Sequence, residues 1–364
     1  MRQRKLRNFS TMDREKVLDL GKRINTVSKK EINLMEFCGT HTHEIFRFGL
    51  RDILPQNIHL LSGPGCPVCV TAQEDIDYII TLARIFPIGV ITFGDILNVP
   101  GSEGSLNHLR AEGKDVRVVY SPLDSLKIAK KNPQKQFLFV GVGFETTVPL
   151  VAYTLLMARK ERINNLLFLS LHKLTPPAMR AILEMGEVKV DGIIGPGHVS
   201  TIIGRKGWGS IFNDYKIPFV IAGFEPEDIM LGILKLIEMV EENRPQLLNA
   251  YRRSVREEGN PHALEMINRV FSVSGDIWRG LGYIEDSGLK LNETFSEFDV
   301  KRVYPIKFKK YENKGCRCGE VLRGVLKPTE CPLYGKVCNP QTPMGPCMVS
   351  SEGTCAAYYQ YGEN

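Results

Sequence analysis

The chain has 364 residues, of which 43% are hydrophobic, and a formal net charge of +6. Single cores usually stop growing below this length, so we expect several domains. No apolar run approaches the roughly 20 residues of a membrane-spanning helix, and the N-terminus lacks the apolar core of a signal peptide. We therefore expect a cytoplasmic protein without a membrane partner.

The first 30 residues are the most basic part of the chain, with ten Lys or Arg residues against three acidic ones. Apolar residues recur within them at helical spacing, including Val17, Leu20 and Ile24. This spacing predicts a basic helix over residues 1–30 that packs on the body of the protein. A basic arm can also bind nucleic acid, but we expect no such partner here.

Short runs rich in Val, Ile, Leu and Phe alternate with segments of helical apolar spacing, as in repeated βα units. The runs predict eight strands, near residues 34–37, 59–62, 89–93, 117–120, 137–140, 166–170, 192–194 and 218–222. They divide into two consecutive sets of four, and Gly63-Pro64-Gly65 in one set matches Gly195-Pro196-Gly197 in the other. We therefore predict an α/β fold with two related parallel-sheet domains, over residues 31–122 and 123–226.

The pattern changes from residue 227 onwards. Residues 229–240 and 245–256 carry apolar residues at helical spacing, which predicts two helices. Beyond Lys301 the chain is rich in Cys, Pro and Gly, and we expect little regular structure there. Such a loop-rich segment commonly needs a metal to hold it together. We predict a third domain over residues 227–364, helical at first and then Cys-rich.

Three of the nine cysteines follow the first two predicted strands. Cys38 ends the first strand, with His41 and His43 close behind it, and Cys66 and Cys69 form a CxxC motif after the second. Because the carboxyl ends of neighbouring parallel strands meet at one edge, we expect these thiols and imidazoles to share a cleft. Thiolate and imidazole suit iron, copper or zinc, and a CxxC pair can close into a disulfide. Half of a zinc site is the alternative for the CxxC pair.

The other six cysteines lie close together near the C-terminus. They are Cys316, Cys318, Cys331, Cys338, Cys347 and Cys355. A structural zinc centre would use four of these thiolates and leave two spare. A 4Fe-4S cluster also takes four cysteine ligands, and the other two could then form an adjacent redox pair. The preferred cluster ligands are Cys331, Cys338, Cys347 and Cys355, with Cys316 and Cys318 as a satellite pair or as alternative ligands.

Three further polar residues are candidates for the cleft. Glu145 follows Gly141 and Gly143 at the end of a predicted strand. The third glycine of a dinucleotide fingerprint is missing, so we interpret this segment as a close backbone approach with Glu145 as a polar contact. His172 and His198 each end a predicted strand and lack a paired ligand in the sequence. We expect both to be hydrogen-bonded cleft residues.

Several motifs occur together and in one order along the chain. They are Cys38-Gly39-Thr40-His41, the segment from Gly63 to Cys69, the segments 143–147, 222–226 and 278–282, and the tail from Cys316 to Tyr359. In these motifs the chain resembles, over nearly its whole length, the HypD family. Members of that family are accessory proteins that help to build the Fe(CN)2CO unit of nickel-iron hydrogenases.

The resemblance implies three domains, of which the third binds a 4Fe-4S cluster in an arrangement similar to ferredoxin-thioredoxin reductase. It also implies two partners, the small chaperone HypC and the cyanide donor HypE. In that family Cys38 would hold a mononuclear iron, which transiently carries CN and CO ligands, together with a cysteine of HypC. Cys66 and Cys69 would be the redox pair, and His41 would shape the iron site or relay a proton.

These residues lead to one functional hypothesis and two alternatives. The hypothesis is a maturation scaffold with a redox role, in which the CxxC pair and the cluster serve reductive cyanide transfer from HypE. The enzymatic alternative is an iron-sulfur-dependent disulfide reductase that acts on a thioredoxin-like protein. The non-catalytic alternative is a zinc-stabilised binding protein that uses its basic arm.

Overall fold

The computed structural model describes residues 11–306 and 315–362 of the chain. Two parallel β-sheets with their connecting helices form most of the protein. A two-stranded antiparallel hairpin and a Cys-rich C-terminal segment complete it. The predicted α/β class with two parallel sheets is confirmed. No helix in the described ranges combines the length and the apolar character needed to cross a bilayer.

The first sheet has five strands, all of them parallel. In spatial order they are β2 (Ile58–Ser62), β1 (Ile32–Glu36), β7 (Gly192–Pro196), β8 (Phe219–Ala222) and β9 (Leu247–Asn249). Glu36 at the end of β1 is in register with Ser62 at the end of β2 and with Ile194 of β7. The loops that follow these strands therefore share one carboxyl edge.

The second sheet has four parallel strands. In spatial order they are β4 (Val116–Val118), β3 (Gly89–Thr92), β5 (Phe137–Gly143) and β6 (Leu166–His172). β5 is buried along its whole length, as expected of a central strand that is covered on both faces. Gly143 is in register with His172, so the loops after β5 and β6 also begin side by side.

The eight predicted strands are all present, but their predicted grouping is wrong. β3 and β4 pair with β5 and β6, whereas β1 and β2 share a sheet with β7 and β8. Residues 31–122 and residues 123–226 therefore each contribute strands to both sheets. Consecutive strands are usually neighbours, and the prediction followed that tendency. Here the chain leaves the first sheet after β2, builds the second sheet and then returns.

Helices connect the strands and cover the sheets. They are α1 (Thr11–Val27), α2 (Gly39–Arg47), α3 (Pro67–Val70), α4 (Gln73–Ile85), α5 (Leu106–Ala111), α6 (Leu123–Lys131), α7 (Val148–Lys160), α8 (Thr175–Met185), α9 (Gly197–Ile203), α10 (Gly209–Tyr215), α11 (Pro226–Glu241), α12 (Pro261–Val270), α13 (Val300–Val303), α14 (Cys318–Leu322) and α15 (Thr354–Tyr361). α1 belongs to the predicted basic N-terminal helix, of which residues 1–10 lie outside the described residues. Val17 and Ile24 of α1 are fully buried in a core shared with α11 and the first sheet.

The region after residue 226 differs from the prediction in two ways. The helix predicted over residues 229–240 is present within α11, but β9 lies in the segment 245–256, where a helix was predicted. The strands β10 (Phe271–Trp278) and β11 (Gly282–Leu291) form a hairpin that the sequence pattern did not indicate. β10 contains Ser, Gly and Asp residues of low strand propensity and a register shift, so its apolar alternation is broken. This region is therefore mixed rather than helical.

One continuous cluster of buried side chains joins the two sheets, the hairpin and the Cys-rich segment. Met35 of β1, Val140 of β5, Trp278 of β10 and Cys347 all belong to it. Burial of apolar surface is the main favourable contribution to folding. The Cys-rich segment is therefore held against the sheets by core packing, and this packing places it next to their carboxyl edges.

Candidate functional site

Cys38 lies at the carboxyl edge of the first sheet, immediately before α2. The next residue, Gly39, donates its N–H to the carbonyl oxygen of Gly65 at 2.9 Å and so joins the loop after β1 to the loop after β2. A Cβ added to Gly65 would lie 2.5 Å from Cys38 Cα, so only glycine fits there. The Cys38 loop and the CxxC loop are therefore packed directly on each other.

Cys66 and Cys69 bracket the start of the short helix α3 and are joined as a disulfide, with their Cα atoms 5.2 Å apart. Cys66 Sγ accepts the backbone N–H of Cys69 at 3.2 Å. Cys66 is 2% exposed and Cys69 is fully buried. Pro67 and Val68, between them, line the same cavity as Cys38. A small reactant in that cavity would lie next to both thiol sites.

We call this cavity the thiol cleft, and its volume is about 510 Å3. It lies where the carboxyl edges of the two sheets come together. Asp95 follows β3, Tyr120 follows β4 and Gly143 ends β5, and all three line the cleft with Cys38. Glu352 of the Cys-rich segment lines it as well. The ends of parallel strands are the usual position of ligand sites in α/β proteins.

Two carboxyl groups flank Cys38, that of the buried Glu36 and that of the half-buried Glu352. Glu36 accepts the N–H of Cys38 at 2.9 Å and also the hydroxyl of Thr42, and burial raises its pKa to about 8. Glu352 accepts the hydroxyl of Thr40 at 2.8 Å, and burial raises its pKa too. Burial, and then the charges of Glu352 and Glu36, raise the pKa of the Cys38 thiol to about 12. The thiol is therefore protonated near neutral pH, and a metal ion that binds it would displace a proton.

His41 of α2 is fully buried. Its Nε2 lies 2.8 Å from the carbonyl oxygen of Gly223, so this nitrogen carries a proton and donates it. Its Nδ1 has no hydrogen-bond partner among the described residues. Burial lowers the pKa of His41 to about 4, which keeps the ring neutral. The ring of Phe224 stacks on His41 and on His198, with centroids 4.7 and 3.8 Å apart, and His198 lines the thiol cleft.

The other three predicted cleft residues lie elsewhere. His43 turns towards the C-terminal segment, where its Nδ1 is 3.2 Å from the carbonyl oxygen of Ser351. Glu145 accepts the backbone N–H and the hydroxyl of Thr175 at 2.8 and 2.9 Å, at the N-terminus of α8. His172 is fully buried between β5 and the hairpin, where burial lowers its pKa to about 3. His172 is the last residue of β6, and its direction follows from the alternation of side chains along a strand, whereas His43 lies within α2 and Glu145 lies beyond the end of β5.

The six distal cysteines surround one small cavity of about 20 Å3. Cys318 lies close enough to Cys316 and Cys347, and Cys347 close enough to Cys355, for these thiols to shift one another's pKa. Within residues 11–306 and 315–362, no three His, Cys, Asp or Glu side chains are already placed to hold a metal ion. The donor set nevertheless fits an iron-sulfur cluster in kind, because six thiols converge on one cavity lined otherwise by mainly apolar side chains.

The distal cysteines adjoin the CxxC motif and the Cys38 loop. Cys69 Sγ lies 3.9 Å from the carbonyl oxygen of Pro346, the residue before Cys347. Gly39 packs on the backbone of Glu352, and α15 packs on α2. The Cys-rich segment therefore contacts both proximal thiol sites.

Sequence reasoning did not identify Glu36, Glu352 or Arg279, which all contact these thiol sites. Glu36 could have been found as an acidic residue at the end of an otherwise apolar strand. Arg279 lies within one of the recognised motifs, residues 278–282, but no role followed from its type. Glu352 carries no local signal, because its position depends on contacts with the other end of the chain.

The fold and the site together define an α/β protein in which a thiol-lined cleft adjoins a second cysteine cluster. Residues 15–362 match the family described as HypD, hydrogenase formation hypA family. The chain is 44% identical to the hydrogenase maturation factor HypD2 of Bradyrhizobium diazoefficiens, over 96% of this chain and 95% of that protein. It is also 44% identical to hydrogenase maturation factor HypD of Escherichia coli, over 93% and 91% of the two chains, and of Cupriavidus necator, over 91% and 89%. The chain therefore belongs to the HypD family.

Proposed function

We propose that this protein acts in the maturation of nickel-iron hydrogenases, where it forms with HypC the scaffold on which the Fe(CN)2CO unit is assembled. The relatives described above are named hydrogenase maturation factors and align with nearly the whole chain. The observation that carries the proposal is the packing of the Cys38 loop on the CxxC loop at one cleft. One thiol that can hold iron then lies beside two thiols that can reduce an incoming ligand carrier.

Iron is the cargo of this site. Cys38 would anchor it as a thiolate, together with a cysteine of HypC. The raised pKa of Cys38 means that the thiol keeps its proton until iron displaces it. Glu36 and Glu352 disfavour a bare thiolate beside them but favour a bound cation, because both carry or can acquire negative charge. We assign His41 to shaping the site, since its neutral ring supports Phe224 and, through it, His198.

The CxxC pair would supply the electrons for cyanide transfer. On HypE the cyanide is expected as a thiocyanate, whose carbon–sulfur bond must be cleaved reductively. The reduced pair, Cys66 and Cys69, would give up two electrons and two protons and close to a disulfide, while the carrier leaves as a thiol and the cyanide as HCN. Pro67 and Val68 line the thiol cleft, so the cyanide would be released beside Cys38.

Four distal thiolates would hold a 4Fe-4S cluster, which when bound supplies electrons one at a time. The sequence pattern favoured four of the six cysteines as cluster ligands, namely Cys331, Cys338, Cys347 and Cys355. The contacts favour another division, because Cys347 adjoins Cys69 through Pro346 and its thiol lies close enough to that of Cys318 for each to shift the pKa of the other. We therefore propose Cys318 and Cys347 as the dithiol pair beside the CxxC motif. The proposed ligands are then Cys316, Cys331, Cys338 and Cys355.

Infrared spectroscopy of the complex with HypC, purified without oxygen, tests the role of Cys38. Cys38→Ala should remove the iron-bound cyanide and carbon monoxide bands and leave the visible absorbance of the cluster unchanged. The control is Cys331→Ala, which also removes one thiol, but from a proposed cluster ligand. It should weaken the visible absorbance of the cluster. Iron–cyanide bands that persist in Cys38→Ala would contradict the proposal.

A stand-alone disulfide reductase fits the structure less well. A protein disulfide would have to reach Cys66, which is 2% exposed, whereas a small group could enter the thiol cleft, which the neighbours of Cys66, Gly65 and Pro67, line. Turnover of a protein disulfide in the absence of HypC would favour the reductase. Metal analysis tests the zinc alternative separately, because roughly four irons with sulfide per chain would exclude zinc in the tail.

A further inference from the structure

The tip of the antiparallel hairpin lies between the CxxC motif and the distal cysteines. β10 and β11 are joined by residues 279–281. On one side, Trp278 forms an isolated antiparallel bridge with Thr71, which directly follows α3. On the other side, Gly280 packs on Gly319 of α14, where a Cβ added to Gly319 would lie 2.8 Å from Gly280 Cα. The tip therefore contacts a segment next to each sulfur centre.

Arg279 makes the contacts on the CxxC side. Its backbone N–H donates to the carbonyl oxygen of Val70 at 2.9 Å, and its Nε donates to that of Thr71 at 2.8 Å. These two carbonyls belong to the residues directly after Cys69. The Nη2 atom of Arg279 is buried and has no hydrogen-bond partner within the described part of the chain. A buried cationic nitrogen without a partner is costly, so its position requires a nearby negative charge.

The distal cysteines can provide that charge. Burial lowers the pKa of the Arg279 guanidinium, and the neighbouring thiols of Cys318, Cys316 and Cys347 oppose the effect. The backbone contacts agree, because Gly280, the residue after Arg279, packs on Gly319, the residue after Cys318. Arg279 therefore contacts the CxxC segment with its Nε and lies next in the chain to a residue that packs beside the distal cysteines.

We propose that Arg279 is a positioning residue for electron delivery, a half-buried cation that stabilises the reduced state of the distal sulfur centre and holds that centre against the CxxC loop. This inference rests on the proposed function. Reduction of an iron-sulfur cluster adds negative charge, and a nearby cation whose Nη2 is shielded from solvent makes that addition more favourable. Arg279 therefore raises the reduction potential of the distal centre. A guanidinium suits both contacts because its donors point in several fixed directions, whereas an ammonium group is a single point charge.

Redox titration of the full chain, purified without oxygen, tests this role. Arg279→Gln should shift the midpoint potential of the iron-sulfur absorbance to a more negative value. Arg279→Lys retains the charge, so its midpoint potential should lie close to that of the wild type. The matched control is Arg323→Gln, because Arg323 also donates to the Gly280 carbonyl at the hairpin tip but pairs with Glu187 at 2.5 Å. That control should leave the potential unchanged.

A second readout does not need iron. Thiol labelling and mass spectrometry in mildly alkaline glutathione buffers, where reduction of the disulfide yields thiolate and therefore adds negative charge, give the dithiol–disulfide equilibrium of Cys318 and Cys347. This equilibrium should also move to more negative potential in Arg279→Gln. Unchanged potentials in folded Arg279→Gln, or an equal shift in Arg323→Gln, would overturn the inference. Should Arg279→Gln fail to fold, Arg279→Lys decides the matter, because a strongly shifted potential in that charge-retaining variant would contradict the role. Absence of iron-sulfur absorbance in the wild-type chain would instead count against the proposed cofactor.

Discussion

Gly65 lies against the backbone of Cys38, and this contact joins the Cys38 loop to the CxxC loop. The two loops follow adjacent parallel strands, whose ends are in register at Glu36 and Ser62. The hydrogen bond from Gly39 to the Gly65 carbonyl, at 2.9 Å, fixes their spacing. The geometry of the thiol cleft therefore depends on a residue that has no reactive group of its own.

Gly65→Ala should displace Cys38 and impair iron binding. The added carbon would overlap backbone atoms, which cannot move aside as a flexible side chain can, and the expected loss in the free energy of unfolding is about 1–3 kcal/mol. Urea unfolding and the iron content of the HypC complex measure the two effects. Gly94→Ala is the control, because Gly94 also lines the cleft but its nearest neighbour, Val118, would be 3.7 Å from the new carbon. Equal losses in both variants would contradict the argument.

Glu352→Gln should make Cys38 more reactive. After burial, the charge of Glu352 is the largest cause that raises the pKa of the Cys38 thiol to about 12. Removing that charge lowers the pKa of the thiol and raises the thiolate fraction in mildly alkaline solution, so alkylation should be severalfold faster. The rate is measured by iodoacetamide labelling and mass spectrometry of the peptide that contains Cys38. Glu330→Gln, an exposed substitution in the same segment, is the control. A rate unchanged in Glu352→Gln would exclude this electrostatic effect.

Glu145 should give the stability of the protein a pH dependence. Burial raises its pKa from 4.5 to about 7, so the folded protein binds this proton more tightly than the unfolded chain does. The stabilisation from this group is therefore complete below about pH 4.5 and is lost as the pH rises through about 7. In the wild type, this loss lowers the free energy of unfolding by at most about 3 kcal/mol as the pH rises. Glu145→Gln should abolish this contribution to the pH dependence. Urea unfolding at several pH values between these limits measures the difference.

The comparison with wild type isolates Glu145. Glu36, whose pKa is raised to about 8, titrates in both proteins and cancels in the difference. A difference between wild type and Glu145→Gln that does not change with pH would contradict the assignment.

Lys173→Met should destabilise the hairpin. Lys173 is fully buried, and its Nζ donates to Asp276 at 2.7 Å and to the carbonyl oxygen of Ile277 at 2.8 Å. Methionine keeps the apolar stem but leaves Asp276 without its cation, at an expected cost of about 1–3 kcal/mol in urea unfolding. Lys127→Met should cost no more than about 0.5 kcal/mol, because exposed ion pairs contribute little. The Lys127 side chain is 73% exposed and pairs with Asp124 at 2.8 Å. Similar costs for both substitutions would show that burial of Lys173 is not decisive.

Local patterns were enough to locate the strands and to bring Cys38 and the CxxC motif together. Each predicted strand is an apolar run that ends in small or polar residues, and parallel strands place such ends at a common edge. β1 and β2 are consecutive in the chain and adjacent in the sheet, so the rule applied to them without modification. The same rule failed between β2 and β3, which are consecutive in the chain but lie in different sheets, because β3 pairs with β4 and β5.

The remaining features depend on partners that are distant in sequence. Thr40 and Glu352 are hydrogen-bonded although they are 312 positions apart, and Arg279 and Thr71 although they are 208 positions apart. Neither the residue types nor their spacing indicate such contacts. The direction of His43 likewise depends on the C-terminal segment that packs beside α2. Sequence reasoning therefore brought the three proximal cysteines together but missed the charged groups that surround them.

The order of the strands also has a consequence for protein synthesis. β1 pairs with β7, where Leu34 is in register with Gly192, and the residues that line the thiol cleft extend from Phe37 to Glu352. A nascent chain that has only β1 and β2 outside the ribosome lacks most of these residues. Closing such long loops is also slow compared with forming local contacts. Under the function proposed above, iron would therefore enter a complete site only after translation has passed residue 352, and the unfinished polypeptide would be protected from premature loading.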